Sequence, residues 1–254
     1  RERRSRGGGS SFYKERIDGW CEKGILGCVL ALIAYSPTAF GAVRTSEFVV
    51  MLALGVVMMG LWAVRLVVRT QYRFFLAPFC WVVIAFTGYA IWRYTGADIE
   101  YAARLELLQI LLYAAVFFAV LDNLSGQETI QIILFTLVFV AMLNAFYGVY
   151  QYFTEGKWVL NYPKPEMYKG RGSGTYICPN HLAGLLEMVL PIALAYTITG
   201  RLKPLTKVFL AYAAVALLAG IGVTISRGGY LATGGALAVL FLSLLWNRDF
   251  RIPA

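Results

Sequence analysis

Eight apolar runs, each close to the thickness of a lipid bilayer in length, divide this chain. A helix needs about 20 apolar residues to cross the hydrocarbon core. Backbone amides in hydrocarbon must bond within their own segment, so we expect every run to be helical. The sequence therefore predicts an all-α protein, a polytopic bundle of about eight transmembrane helices. The runs cover residues 24–42, 48–68, 74–92, 105–121, 129–153, 181–199, 208–225 and 229–246.

The composition excludes the water-soluble alternatives. Apolar residues fill 59% of the 254 positions, whereas Asp, Glu, Lys and Arg fill only 15%. A typical soluble domain has about 25% of these charged residues. So few charges cannot cover the surface of a soluble monomer of 28.2 kDa, which also excludes a disordered chain and a fibrous repeat. We expect the net charge of +9 to face anionic membrane lipids and not nucleic acid.

The basic residues favour a cytoplasmic N-terminus. With the N-terminus inside, the inner segments carry 15 of the 23 Lys and Arg residues, and the outer segments carry 8. Eight spans then return the C-terminus to the cytoplasm. We expect residues 1–11 to be flexible. The predicted regions are a basic cytoplasmic tail at 1–23, a five-helix region at 24–153, a periplasmic outer loop at 154–180, a three-helix region at 181–246 and a cytoplasmic end at 247–254.

Arg171 and Arg227 are the strongest candidates for ligand binding. Arg171 lies in KGRGSGTYICPNHLAG at the end of the outer loop, and Arg227 lies in ISRGGYLATGG between the last two runs. The predicted topology puts both at the outer face. Two guanidinium groups near a membrane boundary suit a diphosphate, and glycine amides at a helix start would add to such a site. The alternative is two interfacial arginines bound to lipid headgroups or helix ends.

Three polar residues near the start of the sixth run accompany the arginines. Asn180 follows Pro179 and is expected to cap the helix. His181 is either an acid–base group or a packing residue of the interface. Glu187 lies two helical turns deeper, where an ionisable group is costly and marks a functional position, with an arginine or His181 as its expected partner.

A stripe of polar residues follows one face of the fifth predicted helix. It consists of Asn144, Tyr147, Gly148 and Gln151. Their helical spacing leaves two interpretations open. The stripe either bonds to neighbouring helices or lines a polar crevice that leads to the outer loop.

Sequence patterns that bind metals are missing. The chain has one histidine, its four cysteines form no CxxC pair, and no Asp-rich cluster is available for Mg²⁺. We therefore expect no metal and no cofactor. A catalytic mechanism would have to use organic cations.

The stretch RGSGTYICPNHLAGLLE, from Arg171 to Glu187, together with SRGG at 226–229, resembles the O-antigen ligase and polymerase family (Wzy-type). That family has an arginine, a Gly-Thr-Phe-like step, Asn-Pro-Asn, a Leu-Ala-Gly helix start and a later Ser-Arg-Gly at a helix junction. Here the sequence Cys-Pro-Asn, ending at Asn180, stands where Asn-Pro-Asn is usual. The characteristic part covers residues 171–246.

The resemblance implies a metal-independent glycosyltransferase of the bacterial inner membrane, active in cell-surface polysaccharide biosynthesis such as that of lipopolysaccharide. Such enzymes move a glycan from an undecaprenyl-diphosphate carrier to a hydroxyl of a glycan, lipid or protein acceptor on the periplasmic side. The family's arginines that match Arg171 and Arg227 hold the diphosphate leaving group, so these two are the expected catalytic residues. The residues expected to bind substrate are Asn180, His181, Glu187 and Ser226.

The family's general base is a histidine in a large periplasmic loop further along the chain. No histidine follows His181, which lies in the helix-start motif, so the base is expected beyond residue 254. The chain begins with Arg1 and its first methionine is Met51. We therefore expect it to be a piece of a longer protein that is catalytically incomplete by itself.

Two other classes of function stay open at this point. A transporter of a small anion or a lipid-linked substrate would use Glu187 and the polar stripe of the fifth helix. A non-catalytic membrane scaffold would tolerate the loss of both Arg171 and Arg227.

Overall fold

The computed structural model describes residues 7–69 and 77–246, which form eight α-helices. In chain order they are α1 (Gly7–Thr38), α2 (Thr45–Val68), α3 (Cys80–Thr95), α4 (Glu100–Asn123), α5 (Gln127–Phe153), α6 (Pro179–Thr199), α7 (Pro204–Thr224) and α8 (Arg227–Trp246). Short 3-10 turns occur at Phe40–Ala42 and Glu166–Tyr168. Strands β1 (Trp158–Val159) and β2 (Tyr162–Pro163) pair antiparallel within the outer loop. The predicted helical class is confirmed, with this small ribbon as an addition.

Six of these helices are long and apolar enough to cross a membrane: α2, α4, α5, α6, α7 and α8. The first predicted run falls within α1 and the following 3-10 turn, and α1 is not among the six. Helix α3 has 16 residues, fewer than a span needs. The start of the third predicted run, at 74–76, lies outside the described residues. The number of eight spans and the side of each terminus stay predictions.

Helix α1 begins well before the first apolar run. Its first residue is Gly7, and residues 1–6 lie outside the described part. The predicted tail at 1–23 is therefore helical from Gly7 onward, whereas the flexibility predicted for 1–11 stays a prediction. Asp18 and Glu22 of α1 form ion pairs with Arg65 of α2, and these contacts fix the helical turns around the two acidic residues. The predicted cytoplasmic end, 247–254, also lies outside the described residues.

The chain separates into two compact units. Unit 1 comprises Arg1–Leu32 and Ser46–Gln131, and unit 2 comprises Ile33–Thr45 and Ile132–Ala254.

Unit 1 contains a buried arginine that is surrounded by partners. Arg65 is only 1% exposed, and its Nε donates to Asp18 Oδ1 at 2.7 Å. Its Nη1 donates to Asn123 Oδ1 at 3.0 Å, and Nη2 donates to Glu22. Arg69 binds the same Asp18 carboxylate from a more exposed position, with 2.9 Å between Nε and Oδ1. The Arg65 guanidinium therefore ties α1 and α4 to α2.

Unit 2 has a core formed by α5, α6 and α7, with side chains that allow the helices to approach closely. Its buried members include Ala141 and Ala145 on α5 and Ala213 on α7. A methyl group at Gly220 would lie 2.7 Å from side-chain atoms of both Ala145 and Leu186. Small residues at such crossings are typical of helix pairs in membranes. This close packing brings the start of α6, the end of α7 and the start of α8 close to the loop at 154–178.

Candidate functional site

An open cleft of about 500 Å³ in unit 2 brings together five of the six predicted site residues. His181 is the one that does not line it. Residues from the end of the outer loop, the first turns of α6 and the α7–α8 turn form its walls. They are Arg171, Asn180, Glu187, Ile225, Ser226, Arg227, Gly228 and Gly229.

Arg171 is held in place by hydrogen bonds to two helix ends. Its Nε donates to the Thr224 carbonyl at 2.7 Å, and its Nη2 donates to Asn180 Oδ1 at 2.8 Å. Its guanidinium carbon also lies 5.9 Å from the centre of the Tyr168 ring. No acidic residue in the described part of the chain pairs with Arg171, so no carboxylate neutralises its charge.

Asn180 is not the N-cap that the sequence predicts. Helix α6 begins at Pro179, and Cys178 occupies the cap position without a side-chain cap bond. Proline suits the first helical position because its missing N–H has no intrahelical acceptor there. The Asn180 side chain instead accepts the bond from Arg171 and therefore positions that guanidinium beside the cleft.

A two-residue turn between α7 and α8 positions Arg227. Ile225 takes the left-handed conformation with φ 49° and ψ 43°, which is rare for a β-branched residue. Ser226 then caps α8, because its Oγ accepts the Gly229 N–H at 3.2 Å. A Cβ at Gly229 would lie 2.8 Å from the Ala183 Cβ, so the start of α8 approaches α6 closely.

Arg227 itself is exposed in the cleft. Within residues 7–69 and 77–246 it forms no hydrogen bond or ion pair through its side chain. The backbone N–H groups of Arg227 and Gly228 have no acceptor among the described residues, and the positive end of the helix dipole lies here. At Gly228 an added Cβ would meet no atom within 4 Å. Free cationic and amide donors therefore face open space.

Glu187 is a half-buried carboxylate in the same cleft. It follows Asn180 by seven residues, which puts both on one face of α6 and about 10 Å apart along its axis. The partner expected from the sequence is missing: the structure shows no bond from Glu187 to an arginine, to His181 or to any other described residue.

His181 lies on the outside of this arrangement. Its side chain is exposed, and its ring meets the Tyr176 ring edge-on at 6.3 Å between centroids. Burial raises the pKa of Tyr176 to about 12, so this phenol stays protonated at physiological pH. The contact is of the packing kind that the sequence left as one alternative.

The polar stripe of α5 binds the outer loop, which neither interpretation of the sequence anticipated. Buried Gln151 accepts the Ser173 N–H at 3.0 Å and donates to the Gly174 carbonyl at 2.9 Å. The Tyr147 hydroxyl accepts the Leu160 N–H at 3.1 Å. The stripe therefore serves as a fixed base for the loop.

Asn144, about one helical turn before Tyr147 in α5, also binds the outer loop. Its Oδ1 accepts the Thr175 N–H at 3.3 Å, and the Thr175 hydroxyl contacts both Asn144 Oδ1 and the Pro37 carbonyl. Gly41, with φ 78°, packs on the Tyr176 ring, where an added Cβ would lie 2.9 Å from Cε1. The segment after α1 thus supports the loop from a second side.

Gly172 brings the loop against two helices. Its N–H donates to the Val223 carbonyl at 2.7 Å, directly before the Thr224 carbonyl that binds Arg171. A Cβ at Gly172 would lie 2.6 Å from the Gly148 carbonyl oxygen. Only glycine fits this approach. In the sequence, the glycines of GRGSG and Gly148 in the polar stripe were the features that could have indicated this close approach of the loop to α5.

Lys164 is a cation behind the site that sequence reasoning missed. It is buried, and its Nζ donates to the Arg171 carbonyl. Burial, and secondly the charge of Arg171, lower the pKa of this lysine. The segment YPKPE contains it, but nothing there distinguishes a buried lysine from an exposed one.

The cleft as a whole combines two guanidinium groups, backbone amides at a helix start and one carboxylate. In the described part of the chain, no three His, Cys, Asp or Glu residues cluster as a metal site would require. Such an arrangement of donors is suited to a ligand with an anionic portion.

Comparisons with protein-family models, with curated proteins and with solved structures find nothing that matches this chain. The likeness to the O-antigen ligase and polymerase family therefore rests on the residues quoted from the sequence.

Proposed function

We propose that this chain belongs to a glycosyltransferase that transfers a glycan from an undecaprenyl-diphosphate carrier to an acceptor hydroxyl at the periplasmic face of the bacterial inner membrane. One observation carries the proposal. Arg171 and Arg227 are 56 positions apart, yet they line one cleft without an acidic partner among the described residues. The quoted motifs add the likeness to O-antigen ligases and polymerases.

In the proposed reaction, negative charge develops on the diphosphate leaving group beside Arg171 and Arg227. The acceptor oxygen bonds to the anomeric carbon as the bond from that carbon to the diphosphate oxygen breaks, and the electron pair leaves with the diphosphate. Guanidinium donors fixed beside that oxygen stabilise the growing charge, each by about 2–4 kcal/mol. The amides at the start of α8 act in the same direction. By the resemblance, a histidine in a later loop takes the acceptor proton.

The proposed topology has eight spans and both termini in the cytoplasm. The positive residues of the inner segments support the orientation, and six of the eight helices have the length and hydropathy of a membrane span. With this topology the cleft opens on the periplasmic side, where a flipped lipid-linked glycan is accessible. Labelling of positions 171 and 227 from opposite sides of the membrane would contradict it.

The test is glycan transfer by the full-length protein that carries this chain. We expect Arg171→Ala and Arg227→Ala each to lower transfer by about 100- to 1000-fold, because each removes one donor to the leaving group. The matched control is Arg201→Ala, since Arg201 is exposed in the α6–α7 connection, at the end of α6 that lies away from the cleft. Wild-type transfer by both cleft variants, with normal membrane insertion, would contradict the proposal.

A transporter is the second candidate, and Glu187 is the observation that favours it. A carboxylate without a partner in a membrane helix is typical of ion and substrate pathways. Purified protein in liposomes separates the two functions. Flux of an anionic solute without glycan product supports transport, whereas product from a diphosphate-linked donor supports the transferase.

A further inference from the structure

The cleft contains one side chain whose charge is opposite to that of its neighbours. Among the described residues that line it, Glu187 is the only carboxylate. Arg171 and Arg227 offer hydrogen-bond donors, as do the amides at the start of α8. An ionised carboxylate can only accept. A ligand that fills the cleft must therefore present acceptors to one part of it and donors to another.

The arginines leave Glu187 unneutralised. Arg171 uses its Nε and Nη2 on the Thr224 carbonyl and on Asn180, and no ion pair joins Glu187 to Arg227. A bare diphosphate offers mainly acceptor oxygens and carries several negative charges, so a free carboxylate in the same cleft repels it. Plain anions are thus a poor match for this set of groups.

We infer that Glu187 binds a hydroxyl group of the sugar that is linked to the diphosphate, so that the cleft selects glycosylated diphosphates over plain ones. This inference rests on the proposed function and specifies its substrate. A sugar hydroxyl supplies the donor that Glu187 requires, and the attached diphosphate supplies the acceptors that the arginines require.

The dimensions of the cleft agree with a ligand of this kind. Its volume of about 500 Å³ lies within the range of sites for small organic ligands. Glu187 lies about 10 Å along α6 from Asn180, the residue that holds the Arg171 guanidinium. Glu187 lines the same cleft as Arg171 and Arg227, so one ligand in the cleft can contact all three. A diphosphate with one sugar spans such a distance, whereas inorganic pyrophosphate does not reach both ends.

The experiment is a binding measurement on the full-length protein that carries this chain, reconstituted in lipid nanodiscs. The probes are inorganic pyrophosphate, farnesyl diphosphate and farnesyl diphosphate that carries one hexose. For the wild type we expect the hexose to raise the affinity over farnesyl diphosphate. For Glu187→Ala we expect that gain to fall by about tenfold to a hundredfold, the usual effect of losing a hydrogen bond to a charged group.

The affinity for inorganic pyrophosphate should change in the opposite direction. Removal of the carboxylate removes a repulsion, so Glu187→Ala should bind pyrophosphate as tightly as the wild type or more tightly. The matched control is Glu128→Ala, an exposed acidic residue in the first turn of α5, which should change neither affinity. Glu187→Gln keeps a carbonyl acceptor and should recover part of the preference for the hexose.

Two sets of results overturn the inference and are distinguishable from failure of the proposed function. Equal losses for all three probes in Glu187→Ala would mean a structural role, and a Mg²⁺ requirement that disappears with Glu187 would mean a metal ligand. The proposed function fails separately if Arg171→Ala and Arg227→Ala bind pyrophosphate as the wild type does.

Discussion

Two arginines in this chain show opposite uses of the same side chain. Arg65 in unit 1 is buried, and its donors bind Asp18, Glu22 and Asn123. Arg227 in unit 2 is exposed in a cleft and bonds to no residue that the structure describes through its side chain. Both lie in helices long and apolar enough to cross a membrane. The first arginine has used its hydrogen-bonding capacity within the fold, and the second keeps that capacity for a ligand.

Because of this difference, we expect Arg65 to contribute to the stability of the fold and Arg227 to contribute to ligand binding. A buried charge whose donors are satisfied loses much when a partner is removed, because the remaining charges have no compensation. An exposed charge without partners contributes little to stability. Loss of Arg65 should therefore damage the fold, and loss of Arg227 should damage only the affinity for an anion.

The largest effect is expected at Arg65. We expect Arg65→Met to lower the free energy of unfolding by about 3–5 kcal/mol, because Glu22 and the buried Asn123 lose their donor and Asp18 keeps only Arg69. Denaturant unfolding in detergent micelles measures this change. The matched control is Arg69→Met, which leaves Asp18 paired with Arg65 and should cost under about 1 kcal/mol. If Arg65→Met were as stable as the wild type, the structural role that we assign to Arg65 would be contradicted.

A second test compares the two cleft arginines. Arg171→Ala should lower the free energy of unfolding by about 1–3 kcal/mol, since its bonds to Thr224 and Asn180 are lost. Arg227→Ala should stay within about 0.5 kcal/mol of the wild type. Thermal unfolding together with pyrophosphate titration separates the effects, since both variants should lose affinity. A larger stability loss in Arg227→Ala would reveal a structural partner for that residue.

The smallest effect concerns Lys164, a buried cation that binds a carbonyl and no acid. Its pKa in the folded state is lowered, so the unfolded chain holds this proton more tightly. Stability should therefore rise with pH from the folded pKa up to the unfolded value of about 10.4. The neutral reference Lys164→Met removes this group, so the stability of the wild type relative to Lys164→Met should increase over that interval. A flat difference between the two pH profiles would contradict the lowered pKa.

The local sequence predicted the helix boundaries to within a few residues where polar and small residues interrupt the apolar runs. The run at 181–199 corresponds to α6, which begins only two residues earlier at Pro179. The SRGG segment correctly indicated a helix start near Arg227. Hydropathy alone could not limit α1 to Thr38, because the apolar run continues through the turn at Phe40–Ala42.

The arrangement around the site depends on contacts that no local pattern encodes. Gln151 binds Ser173 from 22 positions away, and the partners of Arg65 on α1 are more than 40 positions distant. The polar character of these residues was visible, but their partners lie in segments without periodicity. The sequence therefore indicated five of the eight cleft residues, four by their chemistry and Ser226 through the resemblance, and misassigned Asn180, whose bond to Arg171 replaces a cap.

The attachment of the outer loop to α5 has a consequence for the order of biosynthesis. Asn144 and Gln151 precede the loop in the chain, so α5 is synthesised before its partners Ser173 and Thr175. In the membrane that we propose, these amide side chains lack their final partners until the loop has been translocated. With the proposed topology, the cleft is complete only after the loop at 154–180 has crossed the bilayer.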